Sequence, residues 1–307
     1  MATVSPGRAV FDLDSVTLHA LTWGERGAPL ALCLHGYPDT AWTWRYLGPV
    51  LADRGYYVVA PFTRGYAPSS LPADGNLSVG SRVADAIDIA ARVDAPEAVI
   101  IGHDWGAFSA NAAAAMPDSP FRSMVGMAVP PLTAVTFTRE NFLRQVSRAA
   151  AQSVNSWYIL ANQLPALPER FFTPQTALLW RRWSPGYDAA EDLAHLAESA
   201  PTAQHRSAII GYYRQLVRPR SQSTRDRELD KLLTAPPLRP ILQLYGTTDG
   251  CLRPEFFHGL ERRLPAGSRV VGIENAGHFL HLEKPDAVHE AIIAHLESEA
   301  PVTEDGS

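Results

Sequence analysis

EAVIIGHDWGAFSANAAAAM, residues 97–116, decides how the rest of the chain is read. A short apolar run, Ala98 to Ile101, has the length and β-branched content of a buried strand. The turn Gly102-His103-Asp104-Trp105-Gly106 follows, and then an Ala-rich helix. This strand–turn–helix context is the one in which G-x-S-x-G lifts a catalytic serine onto a strained turn. Here Asp104 stands where the serine would be. The amides at the start of the following helix point toward that position and favour an ionised carboxylate. A carboxylate attacks a strained or polarised sp3 carbon, leaving an ester on Asp104. Water must then attack the carbonyl of that ester.

The second step needs a base, an orienting acid and an oxyanion hole. His278, in Glu274-Asn275-Ala276-Gly277-His278, is the candidate base, and Asp249, in YGTTDG, the candidate acid. Asp104, Asp249 and His278 follow one another in the order nucleophile, acid, histidine. The N–H of Trp105 supplies one oxyanion donor, and that of Tyr37, in His35-Gly36-Tyr37-Pro38, is the expected second.

Outward from this turn, strand-like and helix-like segments alternate as in a mostly parallel sheet flanked by helices. Strands are expected at 16–23, 30–34, 56–61, 98–101, 123–129, 241–246 and 268–273, with helices near 41–53, 78–92, 254–264 and 285–298. The rhythm stops between 132 and 230, where aromatic-rich helical segments are broken by LPALPE and SPGYD. The segment reads as an inserted helical lid, with RPRSQSTRDRELDK as a charged linker near its end. The expected organisation is therefore a core in two parts, 1–131 and 231–307, with a cap at 132–230. The tail EAPVTEDGS is polar and expected to fray.

Composition agrees with a globular enzyme. The 307 residues are 46% hydrophobic and 19% charged, with a net charge of −5. No basic cluster offers a footprint for nucleic acid. No segment approaches the roughly 18 apolar residues of a membrane span, and no leader-like n-region and h-region open the chain. A soluble cytoplasmic protein, monomer or homodimer, is the expectation. Cys33 and Cys251 lack both metal-ligand spacing and a disulfide framework and are read as free thiols; no metal or cofactor is expected.

HGYPDTAWTW, RGYAPS, GHDWGA and GHFLHLEKP together resemble the α/β-hydrolase fold, and Asp at the elbow makes the chain similar to its epoxide hydrolases. That resemblance implies a small-molecule epoxide and water as substrates. It also implies two lid tyrosines that hydrogen-bond the epoxide oxygen, matched by context at Tyr158 in WYILANQLP and Tyr213 in GYYRQ. Opening an epoxide puts charge on the departing oxygen, which a phenol stabilises or protonates, whereas a halide needs no proton. Haloalkane dehalogenases of this fold commonly carry Asn where this chain has Tyr37, and fluoroacetate dehalogenases carry Arg where it has Trp105. Dehalogenation is thus the alternative, and a ligand receptor on a hydrolase fold the alternative from another class.

Several neighbours compete for roles. Tyr212 rivals Tyr213, since adjacent helical residues point about 100° apart. His281 rivals His278 as base. His103 is read as structural, and Asp39 as a cap for the following helix. Where relatives often read P-D-x-R-G-Y-G, this chain has Pro61-Phe62-Thr63-Arg64-Gly65-Tyr66-Ala67, losing a carboxylate at a loop expected beside the site mouth.

Overall fold

Four consecutive strands of the sheet are buried at every residue, which is what near-continuous apolar runs such as Leu30–Leu34 require. The computed structural model describes residues 5–134, 152–219 and 222–298. In chain order its strands are β1 Gly7–Asp12, β2 Thr17–Trp23, β3 Leu30–Leu34, β4 Tyr57–Pro61, β5 Ala98–His103, β6 Ser123–Met127, β7 Ile241–Gly246 and β8 Arg269–Ile273. They form one sheet in the order β1-β2-β4-β3-β5-β6-β7-β8. The pairs β1–β2 and β2–β4 are antiparallel and the rest are parallel. β1 lies at the edge, with its residues alternating between buried and exposed. Nothing in the sequence analysis anticipates it, because GRAVFD is too short and too polar to stand out.

Helices cover both faces. α1 spans Leu47–Ala52, α2 Val79–Val93 and α3 Trp105–Ala115. The Ser78 hydroxyl caps α2 by accepting from Ser81 N, and the helix stops at Asp94, in the left-handed region at φ 51°. Val288, Ile292 and Leu296 form the buried stripe of the last helix, Pro285–Ser298, at the i, i+4 spacing that marks it in the sequence.

Three expectations need correction. The segment near 41–53 is split into a 3-10 turn, Ala41–Trp44, and α1. The helix expected near 254–264 is two short 3-10 turns, Pro254–Phe256 and Glu261–Arg263, with Gly259 at φ 75° between them. In the charged run at 218–231, Thr224–Lys231 is a helix, capped by Ser223 and packed along α2. Its acids do the packing: Asp226 accepts from Asn76, and Asp230 from the backbone of Gly80. Polar contacts of this kind leave no hydrophobic periodicity to read.

Between β6 and β7 every described element is helical. The helices are Trp157–Ala161, Leu167–Arg170, Phe172–Trp183, Ala190–Ser199 and Ala203–Val217. The first stretch of the expected lid, 135–151, lies outside the described residues, as does the tail at 299–307. Among the described residues no helix is long and apolar enough to cross a membrane.

These helices are tied to the core at defined points. Arg45 pairs with Asp192 at 2.7 Å, both buried. Trp180 stacks on Phe279 at 3.4 Å between ring centroids, and its indole N–H donates to Pro38 O. Removing one partner of a buried ion pair strands the other charge. Asp192→Ala should therefore lower stability by about 3 kcal/mol in urea denaturation, while replacing Arg45 and Asp192 together with Met and Leu should cost much less. Equal losses in the two proteins would contradict this.

Candidate active site

Asp104 follows β5 and precedes α3 with φ 52° and ψ −112°, a positive-φ conformation that a non-glycine residue adopts at a cost. The turn closes only because its flanks are glycines. A Cβ on Gly102 would collide with Gly106 O, and one on Gly106 with Leu34 O. The result holds the Asp104 carboxylate, 5% exposed, at the end of the central strand.

Tyr37 N donates to Asp104 Oδ1 at 2.7 Å. Trp105 is the first residue of α3, so its N–H has no partner within the helix. His278 presents Nε2 to Asp104 Oδ2 at 3.5 Å, and its Nδ1 lies 2.9 Å from Asp249 Oδ2. The other oxygen of Asp249 accepts from the backbone of Cys251 and Leu252 at 2.6 and 3.0 Å. Asp104, His278 and Asp249 thus form one buried line, with a hydrogen bond between His278 and Asp249 and a charge contact between His278 and Asp104.

The electrostatics of the line follow from burial and charge together. Burial alone would raise the Asp104 pKa, but the hydrogen bond and charge of His278, with help from Tyr37 N–H, hold it below the usual carboxylate range. Burial works against the His278 cation, yet the carboxylates of Asp249 and Asp104 outweigh it and push the imidazole up to about 10. A histidine held this way becomes a base only when one of those negative charges is removed.

The rival histidines are elsewhere. His281 Nε2 contacts Thr43 Oγ1 at 2.5 Å, and its ring stacks on Trp44. His103 is fully buried, its Nε2 on His278 O. Burial drives both below the ordinary imidazole range. Asp39 does not cap the next helix: its Oδ1 accepts from its neighbour Thr40 N, and the Thr40 hydroxyl takes the cap position by accepting from Trp42 N.

The carboxylate of Asp104 opens on a cavity of about 170 Å³ lined by Trp105, Phe108, Val129, Ile159, Leu216 and Phe256, together with Tyr158, Tyr213 and Cys251. Tyr158 and Tyr213 meet edge to face at 5.4 Å. The Tyr213 hydroxyl makes no conventional hydrogen bond among the described residues, and burial keeps both phenols protonated. Tyr212 points the other way, donating to Arg64 O at 2.6 Å, so it fastens its helix to the 61–67 loop. Phe62 of that loop is buried and is not among the cavity-lining residues.

One cavity residue was missed by the sequence reading. Cys251 lies on the cavity with Sγ 3.6 Å from the Tyr158 hydroxyl, and burial raises its thiol well above the usual range. Its position two residues after Asp249 was the available signal, since the loop that aims the acid must also aim its neighbours.

This sheet order, the elbow and the helical insertion define a hydrolase architecture. A family model described as the alpha/beta hydrolase fold matches residues 29–285, and the chain belongs to that family. Among curated proteins, epoxide hydrolase A of Mycobacterium tuberculosis is 27% identical, over 95% of this chain and 98% of that protein. An epoxide hydrolase of Caballeronia sordidicola is 28% identical, over 92% and 91%. The crystal structure of epoxide hydrolase A from Mycobacterium thermoresistibile superposes with a TM-score of 0.74 at 27% identity, covering 95% of this chain and 98% of that one.

The charge line generates a measurable expectation. Asp104→Asn removes one of the two anions that stabilise the imidazolium, so the His278 pKa should fall by about 1–3 units. NMR titration of the His278 ring in the two proteins measures it, and an unchanged pKa would mean that Asp104 does not control the base.

Proposed function

We propose that this protein is an epoxide hydrolase that opens an epoxide to a vicinal diol through an ester on Asp104. The observation carrying the reading is a buried, ionised carboxylate at the elbow, facing a cavity that also holds two protonated phenols. Relatives named as epoxide hydrolases support it along nearly the whole chain. In this reading 132–230 is the cap that brings Tyr158 and Tyr213 over a core made of 1–131 and 231–307.

Asp104 attacks one epoxide carbon, the C–O bond breaks, and the departing oxygen takes a proton from the Tyr158 and Tyr213 pair. Forming the ester neutralises Asp104. His278 then faces one carboxylate instead of two, its pKa drops, and the proton that kept it from acting as a base passes through solvent to restore the phenol that protonated the departing oxygen. Its free nitrogen takes a proton from water, and the resulting hydroxide adds to the Asp104 carbonyl carbon. The oxyanion so formed sits at the N–H groups of Tyr37 and Trp105. Collapse of the tetrahedral species releases the diol and restores the carboxylate. Asp249 stabilises the imidazolium during this step. The apolar cavity favours an epoxide with a small hydrocarbon substituent.

Dehalogenation is the runner-up, and the phenols separate the two. Losing one oxyanion-type donor costs about 10²–10³-fold, softened in a single variant by the remaining tyrosine. Tyr158→Phe and Tyr213→Phe should each slow alkylation of Asp104 in single-turnover assays, and the double variant should be nearly inactive toward aryl and alkyl epoxides. Breakdown of any ester formed should be much less affected. A double variant that opens epoxides at the parent rate, or a parent that releases halide from haloalkanes but no diol from epoxides, would overturn the assignment.

A further inference from the structure

Asp249 and His278 share the cavity end with a thiol that the hydrolytic scheme does not use. The ligating atoms of Asp249, Cys251 and His278 all lie within 4.8 Å of one another, and all three side chains are buried. Cys251 also lines the cavity that gives access to Asp104, so an ion can reach the group by the substrate's route. The His278 nitrogen at the Asp249 carboxylate is Nδ1, 2.9 Å from Oδ2, so an ion enters the group at that contact.

We propose that Asp249, Cys251 and His278 bind a thiophilic divalent cation of the zinc class, and that its binding switches off the hydrolytic half of the reaction. The donor set is one thiolate, one imidazole and one carboxylate, which suits zinc and its heavier congener cadmium and leaves a fourth position for water. With metal–sulfur bonds of about 2.3 Å and metal–nitrogen bonds of about 2.0 Å, a tetrahedral ion holds its ligand atoms about 3.5 Å apart. The group therefore closes on an ion by small side-chain movements. The negative charges of Asp249 and Asp104, which disfavour a bare thiolate at Cys251, favour a cation in the same place. On binding, the thiol releases its proton and the imidazolium one of its own, and both go to solvent. One dication replaces two protons, so the charge buried in the cluster does not change.

The consequence for turnover rests on the proposed function, whereas the binding itself does not. An ion on Nδ1 of His278 leaves the ring's remaining proton on Nε2, the nitrogen that faces Asp104, so that nitrogen cannot take a proton from water. Asp104 is outside the ligand set and still attacks substrate, so the ester accumulates instead of turning over.

The chain has two cysteines, which makes the test clean. Co2+ is titrated into the full-length protein and into Cys251→Ser and Cys251→Ala, with circular dichroism to show that both variants fold. The parent should develop a thiolate-to-cobalt charge-transfer band saturating at one ion per chain, and both variants should lack it. In parallel, Cd2+ should inhibit diol formation by the parent, with a covalent adduct on the Asp104 peptide in mass spectrometry. Cys251→Ser should need at least about tenfold more Cd2+ for the same fractional inhibition. No band in the parent, or an undiminished band in Cys251→Ala that transfers the thiolate to Cys33, would overturn the site. So would equal Cd2+ sensitivity of parent and Cys251→Ser. A parent that binds Co2+ through Cys251 but makes no diol would leave the metal site standing and remove the epoxide hydrolase reading instead.

Discussion

An ionised carboxylate buried at the end of the central strand is the constraint on which the site depends. Moving such a group out of water is costly unless its charge is met by donors or by an opposite charge. For Asp104 the compensation comes from three places: the N–H of Tyr37 after β3, the opening amides of α3, and the imidazole of His278 after β8. Each lies at the carboxyl end of a different parallel strand or just beyond it, so the sheet register brings them together. The same compensation carries a positive φ at Asp104 and two glycines whose side-chain hydrogens are all the turn has room for.

The helices between β6 and β7 take part in that arrangement. Trp183 lies at the end of a helix, where carbonyls lack intrahelical partners. Its carbonyl accepts from Gly250 N at 3.2 Å and from His278 N at 3.0 Å, one donor next to Asp249 and the other on His278 itself. Ser184 Oγ adds a bond from Phe279 N. The end of the helix Phe172–Trp183 therefore ties together the loops that carry Asp249 and His278. Arg45 with Asp192, and Trp180 on Pro38 and Phe279, bind the same region to the loop that carries Tyr37. A change at these contacts is expected to displace Asp249 and His278 together.

Strands and the elbow were legible because their signals are local. LALCL and ILQLYG are strands over the ranges the apolar runs mark, and the final helix spans 285–298 as its periodicity implies. Asp104, Asp249 and His278 stand out in the sequence because each follows a strand within a few residues. What stayed hidden depends on side chains meeting across the chain. Helix Thr224–Lys231 looked like a linker because it packs through Asp226 and Asp230 onto backbone and amide groups 150 residues away. Thr40 rather than Asp39 caps the turn before Trp44, a choice between neighbours that spacing does not make. Tyr212 and Tyr213 separate only once the 61–67 loop is present to receive the Tyr212 hydroxyl. Cys251 is the free thiol its spacing implies, and its place beside Tyr158 follows from the loop around Asp249, which spacing does not show.

The central claim is that Asp104 becomes covalently attached to substrate and that water attacks its own carbonyl. A single turnover in 18O-labelled water, with enzyme in excess over an aryl epoxide, tests it most directly. The account predicts that the label appears in the Asp104 carboxylate of the peptide recovered afterwards, and that the first diol carries unlabelled oxygen from the enzyme. Label found in the diol of the first turnover, with Asp104 unlabelled, would show that water attacks the epoxide directly and would contradict the account.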